Sequence, residues 1–259
     1  MRIHDAYLNY FDGSGSVLVR PALSWNEAMA EARNDRSTSV ADLSLGRIEL
    51  EQCLAQSARH FINCIFDGAD LSRLDLEGCR FERCTFHGAV LYASKLGSST
   101  WQRCRASEAD FEACDLVSAH FEGCDLNNTQ WRRARLATAS FVGCKLTGAS
   151  FEEVAHLGIR FEDSLMVGVD LRGMSFKKVQ LRNLDLSDAD LSGCDFREAV
   201  FEGGSLRDAV LKLTRFDNAD LRGADIGGIK LSDAKMFKGA TISQSQAASL
   251  LRELGLQVI

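Results

Sequence analysis

From residue 61 to residue 236, every fifth position carries a large apolar residue. Phe, Leu, Trp, Met or Ile stands at 61, 66, 71 and onward, and only Ala106 and His156 depart from the rule. The stretch Leu186, Leu191, Phe196, Phe201, Leu206, Leu211 shows the pattern in its simplest form. A period of five belongs neither to a helix, which repeats at 3.6, nor to a strand, which repeats at 2. An internal repeat has to be read before any other signal, because it decides the architecture.

The residue two places before each large one is restricted as well. It is mostly Ala, Cys, Ser, Thr or Val, and eight of the nine cysteines fall there: Cys64, Cys79, Cys84, Cys104, Cys114, Cys124, Cys144 and Cys194. A position that takes Ala and Cys interchangeably is a tight interior slot, in which cysteine acts as a small hydrophobe. No C-x-x-C pair occurs, so neither a zinc ribbon nor a redox motif is expected. The other three residues of each five are polar or Gly. Each unit therefore turns one large and one small side chain inward and three outward.

A single unit of this kind cannot bury its large residue, but stacked units can, because each side chain packs on its equivalents in the coils above and below. Ala69-Asp70-Leu71, Ala189-Asp190-Leu191 and Ala219-Asp220-Leu221 repeat the pattern A(D/N)Lxx. On these residues the chain resembles the pentapeptide-repeat family over residues 61–240. The resemblance implies an all-β fold, a right-handed quadrilateral β-helix with one pentapeptide per side. Coils spaced about 4.8 Å apart would give nine coils a rise of about 43 Å. In that register Phe61, Phe81, Trp101, Phe121, Phe141 and Phe161 share one side as an aromatic ladder, and Leu76, Leu96, Leu116 and Leu136 share another.

A solenoid exposes sheet edges and needs caps at both ends. Residues 1–40 lie outside the repeat. Tyr7 to Phe11 and Ser16 to Val19 flank a DGSG turn and predict a β-hairpin. Ser24-Trp25-Asn26-Glu27 is a capping-box sequence that predicts a short helix to about Ala32, giving a small N-terminal α/β cap. Residues 41–60 are expected to form an imperfect first coil. There Leu45 and Leu50 are large positions one residue out of phase, Ile48 and Cys53 fill the small slot, and an extra residue near Ser57 to His60 restores the register. Residues 241–259 read as a helix with an apolar side at Leu250, Leu251, Leu254, Leu256, Val258 and Ile259. Such an exposed patch marks either a dimer contact or a cap folded back on the chain. The domain organisation expected is thus 1–40 cap, 41–240 repeat, 241–259 helical segment.

Composition changes this picture little. Of the 259 residues 46% are apolar, a globular proportion, and Pro21 is the one proline. No run approaches the roughly 18 apolar residues of a membrane span, and the polar N-terminus predicts no secretory signal, so a cytoplasmic protein is expected. No GxSxG, HExxH, Walker or Rossmann fingerprint is present, and the five histidines are scattered. A filled rod leaves no room for a substrate, so no enzyme, no cofactor and no metal site is expected. His156 occupies an inward position, as a ligand, as a buried base or as a satisfied polar group at a local kink.

The repeat lets charge be sorted by side. The side centred on 66, 86 and 106 carries seven acids, Asp67, Glu108, Asp125, Asp185, Asp188, Asp208 and Asp225, against three bases, Arg105, Lys145 and Arg207. The opposite side, centred on 76 and 96, carries Lys95, Arg135, Lys177, Lys178, Arg197, Arg215, Lys235 and Lys238 against six acids. These charges either solvate a repeat surface or imitate a nucleic acid. A closer resemblance bears on that choice. The tail Gln246 to Ile259, with Leu157-Gly158-Ile159 and Gly168-Val169-Asp170-Leu171-Arg172-Gly173, is similar to the Qnr-type quinolone-resistance proteins. That resemblance implies a homodimer joined through its C-terminal tail. It also implies a DNA-mimicking rod that binds DNA gyrase or topoisomerase IV against quinolone- or albicidin-like poisons, with no direct contact to nucleic acid or membrane. In that reading the seven acids replace DNA phosphates. The uninterrupted register matches the loop-free members of that family, and residues 1–40 have no counterpart in the resemblance. The alternative is an interaction scaffold in which residues 1–40 recognise a partner.

Overall fold

The computed structural model describes residues 7–11, 17–21, 39–253 and 255–259. By its internal contacts the chain divides into Met1–Ser39 and Val40–Ile259. In the first unit β1 (Tyr7–Phe11) and β2 (Val17–Pro21) pair antiparallel, Tyr7 opposite Pro21 and Phe11 opposite Val17. The helix predicted from Trp25 to Ala32 lies outside the described residues.

The second unit is a parallel β-helix. Its strands are β3 (Ser39–Ala41), β4 (His60–Ile62), β5 (Arg80–Glu82), β6 (Thr100–Gln102), β7 (His120–Glu122), β8 (Ser140–Val142), β9 (Arg160–Glu162), β10 (Gln180–Arg182) and β11 (Val200–Glu202). They form one nine-stranded sheet in chain order. Phe61 pairs with Phe81, Phe81 with Trp101, Trp101 with Phe121 and Phe121 with Phe141, so each coil repeats the last in register. The other three sides are held by single bridges, such as Ile65 to Thr85, Asp70 to Val90 and Asp75 to Lys95.

The corner geometry explains the period. From Phe61 to Phe216 the residue two after each large one sits at positive φ: Asn63 at 53°, Arg73 at 60°, Ala93 at 56°, Gly168 at 63°. A type II turn requires that conformation at its third residue, and on three sides the turn closes with a bond such as Ala69 N–H to Phe66 O at 3.1 Å. A non-glycine residue resists the left-handed region by about 1–2 kcal/mol. The stacking of coils has to hold each such residue in place, down to the β-branched Thr138 at 57°.

The interior is filled by stacked rings. Along one side, Phe61–Phe81, Phe81–Trp101, Trp101–Phe121, Phe121–Phe141 and Phe141–Phe161 lie 5.4, 4.4, 5.4, 4.9 and 5.1 Å apart between centroids. Leu76, Leu96, Leu116 and Leu136 are fully buried, as the repeat predicts. Volume is traded between sides. Ala106 is small where Trp101 leans on Phe86 at 4.8 Å and meets Phe111 edge-on at 5.8 Å. The small slot does more than accept methyl-sized groups. Cys84, Cys104, Cys124 and Cys144 each direct a thiol at the carbonyl of the large residue on the preceding coil, Phe61, Phe81, Trp101 and Phe121, at 3.3–3.5 Å. Ser94 and Thr214 make the equivalent bond with a hydroxyl, to Leu71 O at 2.7 Å and Leu191 O at 2.8 Å. All nine cysteines are buried. Burial pushes the thiol of Cys79 up to about 11 and those of Cys114 and Cys194 up to about 12, so all three stay protonated, and Cys114 and Cys194 donate to Leu91 O and Leu171 O at 2.9 and 3.0 Å.

Two expectations are corrected at the ends. Residues 41–60 do not form a coil: Arg47–Ala55 is a helix, α1, and Ile48, expected inside, is 65% exposed. Leu45, Leu50 and Cys53 are buried as expected, but Leu50 and Cys53 lie inside by helical spacing. The physical reason is that no coil lies beneath to accept backbone bonds. A run of good helix formers, RIELEQCLA, satisfies its own backbone instead. Glu49 closes the start of α1 by accepting from Gly46 N–H at 3.0 Å. The predicted extra residue is real, since Ser44 bridges Ile65 rather than residue 64.

At the other end the register slips by one. Leu231–Phe237 is a 3-10 helix, Phe216 N–H bonds to Met236 O, and Phe237 rather than Met236 stacks on Phe216 at 4.7 Å. Beyond it, α2 (Gln244–Glu253) opens with a capping box, Gln246 N–H to Ser243 Oγ at 3.2 Å and Ser243 N–H to Gln246 Oε1 at 2.6 Å. The same Gln246 donates from Nε2 to Leu221 O and Ala224 O, both at 2.7 Å, covering carbonyls at the end of the β-helix. Gln246→Ala should uncover both acceptors and cost about 1–3 kcal/mol. Urea unfolding checks this, and an unchanged midpoint would mean that the cap holds by packing alone.

Candidate functional site

The surface residues come in two kinds, which the repeat position separates. An Asp directly before a large residue turns back on the chain and accepts the N–H two residues on. Asp70, Asp110, Asp170, Asp190, Asp195 and Asp220 do this toward Ser72, Glu112, Arg172, Ser192, Arg197 and Arg222 at 2.8–3.2 Å. This is an Asx turn, and it accounts for the D of the A(D/N)Lxx pattern. Arg172, Arg197 and Arg222 add a second grip from the guanidinium, at 2.6, 2.5 and 2.6 Å. These aspartates are structural.

The seven acids of the acidic side divide along the same line. Asp125, Asp185 and Asp225 occupy the turn position and accept from Asn127 N–H at 3.3 Å, Ser187 N–H at 3.1 Å and Gly227 N–H at 3.0 Å. Asp225 is also paired with Arg207 at 2.9 Å. Asp67 accepts from His87 N–H on the next coil at 2.8 Å. Glu108, Asp188 and Asp208 are exposed, and their side chains make no hydrogen bond or ion pair among the described residues. Asp188 and Asp208 stand at the same corner on successive coils, at φ 57° and 55°. The structure thus brings Asp185, Asp188, Asp208 and Asp225 together on three adjoining coils and leaves Asp67, Glu108 and Asp125 spread along the other half. The recurrence of Asp at one repeat position could have marked Asp125, Asp185 and Asp225 as turn residues from the sequence.

The structural aspartates give the fold a pH dependence. The carboxyl of Asp195 is held below the ordinary range by Arg197, that of Asp220 by Arg222, and that of Asp225 by Gly227 N–H and then Arg207. For Asp170 burial opposes the shift, but the bonds from Arg172 outweigh it and the carboxyl is again lowered. A folded-state pKa below the unfolded value of about 3.9 contributes stability that is complete above that pH and drains away as pH falls through the folded value. The urea midpoint should therefore hold level from pH 7 to about 5 and fall steadily below about 4. A midpoint that stayed level to pH 3 would contradict this assignment.

The C-terminal helix buries none of its side chains completely. Leu250 and Val258 are half-buried, Leu251 is 40% and Leu256 54% exposed, and Ile259 is fully exposed. Leu254 lies outside the described residues. His156 does not occupy the interior that its register position predicts. Its ring is half-buried and bonded at both nitrogens, Nδ1 to Val154 O at 3.2 Å and Nε2 to Ser175 N–H at 3.0 Å. Among the described residues no group of three His, Cys, Asp or Glu side chains is placed to hold a metal ion, and no helix is long and apolar enough to cross a membrane.

Comparison with known proteins agrees with this geometry. A family model described as a pentapeptide repeat region matches residues 56–131 and 134–211, and one for eight copies of the repeat matches 114–152 and 194–233. Full-length QnrB1, a plasmid-mediated fluoroquinolone resistance protein, is similar in structure with a TM-score of 0.65 and 17% identity, over 84% of this chain and 100% of that one. A trypsin-treated variant of QnrB1 gives 0.54 and 19%, over 85% and 97%. HetL, a pentapeptide repeat protein involved in heterocyst differentiation regulation from the cyanobacterium Nostoc sp. strain PCC 7120, gives 0.48 and 22%, over 83% and 93%. No curated protein matches the sequence.

Proposed function

The chain belongs to the pentapeptide-repeat family, and from that premise we propose that it works by binding, without chemistry of its own, as a DNA mimic directed at a type II topoisomerase. The partner is DNA gyrase or topoisomerase IV, and the consequence is altered sensitivity to quinolone- or albicidin-like poisons. The observation that carries this reading is the pair Asp188 and Asp208, two exposed carboxylates at one corner of successive coils that make no hydrogen bond or ion pair among the described residues. The likeness in fold to QnrB1, described as a fluoroquinolone resistance protein, supports it. Duplex DNA carries one charge per about 1.7 Å of axis, whereas one corner of a coil recurs every 4.8 Å or so, so the mimicry rests on shape as much as on charge. Asp67, Glu108, Asp125, Asp185 and Asp225 extend the acidic side along the rod. The exposed Leu251, Leu256 and Ile259, with Leu250, Leu254 and Val258, join two copies through the tail.

The test is a titration of the purified protein into a gyrase supercoiling assay, with and without a quinolone. Inhibition, or protection from the drug, supports the reading. No effect on gyrase or on topoisomerase IV ends it. A scaffold reading is favoured by one observation, that Met1–Ser39 with its hairpin forms a contact unit of its own. Deleting residues 1–38 separates the two readings, because topoisomerase binding should survive the deletion and scaffold binding should not.

A further inference from the structure

Along most of the β-helix, each large residue and each corner residue sends its N–H to the following coil. Arg133, Leu136 and Thr138 bond to Glu152 O, Ala155 O and Leu157 O at 3.1, 2.7 and 2.9 Å. Gly173, Phe176 and Lys178 bond to Ser192 O, Asp195 O and Arg197 O at 2.9, 2.8 and 3.0 Å. Between these two sets the series fails. Among the described residues the N–H groups of Glu153, His156 and Gly158 make no backbone bond, and Gln180 N–H makes none to Ile159 O where Val200 N–H reaches Val179 O at 3.0 Å. The bridge column Asp75, Lys95, Asp115, Arg135, Ala155 stops there and resumes only from Ser175 to Asp195. The pairing of β9 with β10 shrinks to the single pair Glu162 and Arg182.

The imidazole of His156 stands in the gap. By the register of Asp195 N–H, which bonds to Met174 O at 3.0 Å, Ser175 N–H belongs on Val154 O. Instead Ser175 N–H donates to His156 Nε2, and Nδ1–H donates to Val154 O. The side chain replaces one backbone bond with a two-bond bridge. The core accounts for the site. The column Leu76, Leu96, Leu116, Leu136 gives way above His156 to Phe176, Phe196 and Phe216, while the rings of Trp131 and Phe151 on the adjoining column give way to Leu171. Phe161 and Phe176, where the two patterns meet, are 6.4 Å apart and tilted. Leu157, beside the gap, is 84% exposed.

We infer that the β-helix is jointed between residues 153–160 and 172–180, and that the His156 side chain is the staple that closes the joint. The acidic side is intact at the same level, where Lys145, Leu165 and Asp185 bridge in sequence, and so forms the hinge line. Opening the joint curves the rod toward its acidic side and changes the angle between the half bearing Asp188 and Asp208 and the half bearing Asp67 and Glu108. This inference does not depend on the identity of the partner.

Amide hydrogen exchange on the full chain, followed by mass spectrometry, tests it. Peptides covering 153–158 should exchange at least about tenfold faster than those covering 133–138 and 173–178. Equal protection would overturn the joint. In His156→Leu the inward column of leucines is continued, and protection of 153–158 should rise to that of 133–138. If the folded variant gained no protection, the inference would fail. His156→Ala removes the staple without filling the column, and exchange of Ser175 N–H should accelerate. An unchanged Ser175 rate would show that the imidazole closes nothing.

Discussion

Truncation of Trp131 to alanine is expected to lower the unfolding free energy by about 3–5 kcal/mol. The indole is fully buried and lies flat between Phe111 and Phe151, at 4.2 and 5.6 Å, with interplanar angles of 1° and 2°. Phe121 and Phe141 meet it edge-on at 5.6 and 5.4 Å. Its Nε1–H donates to Thr129 Oγ1 at 2.8 Å. A coil cannot shrink to close the hole, because its four sides are pinned by bonds to the coils above and below. The cavity term should therefore be paid nearly in full. Each coil also touches only its neighbours, so a weak coil in the middle should broaden the transition as well as shift it. Urea unfolding followed by both tryptophan fluorescence and circular dichroism measures both effects. A loss below about 1 kcal/mol would mean that the core repacks freely. Thr129→Val removes the acceptor of the indole N–H together with the bond that Thr129 Oγ1 donates to Leu126 O at 2.7 Å, and should cost about 1–3 kcal/mol.

Reversing Asp188 and Asp208 together to lysine should reduce potency in the supercoiling assay by at least about tenfold if close charge pairs to a basic partner are lost. The fold should be untouched, because neither carboxylate makes a hydrogen bond or ion pair among the described residues and surface changes of this kind stay within about 0.5 kcal/mol. The remaining activity should depend less steeply on salt, since fewer charges meet at the contact. Asp185→Lys is a poor probe by comparison. It removes the acceptor of Ser187 N–H and Oγ, at 3.1 and 2.6 Å, and so confounds binding with folding. Equal potency of the double reversal and the unaltered protein would refute the acidic-side mechanism while leaving the family assignment in place.

Recurrence separates what could be read early from what could not. Trp131 was legible as a core residue and Cys104 as a buried small one, because each sits at a position that repeats. The thiol bonds of the cysteines were not legible, since they depend on which carbonyl the preceding coil presents. The turn role of Asp185 is legible in its repeat position, directly before Leu186, and a sum of charges over the side does not show it. Leu50 and Cys53 are inside as the repeat predicts, but they share a face because they are three apart on a helix rather than members of a coil.

The chain alone determined the period, the inward set and the solenoid class, because these follow from a pattern that every unit restates and that stacking enforces in every coil, while the four sides of each coil came from the resemblance to the pentapeptide-repeat family. Tertiary structure decided what happens where stacking ends or falters. It made Arg47–Ala55 a helix where no coil lies beneath, shifted the register before Phe237, set Gln246 over two open carbonyls, and turned His156 out of the core where a leucine column meets a phenylalanine column. At such places each backbone group takes whichever partner is within reach, and that depends on residues far away in the sequence.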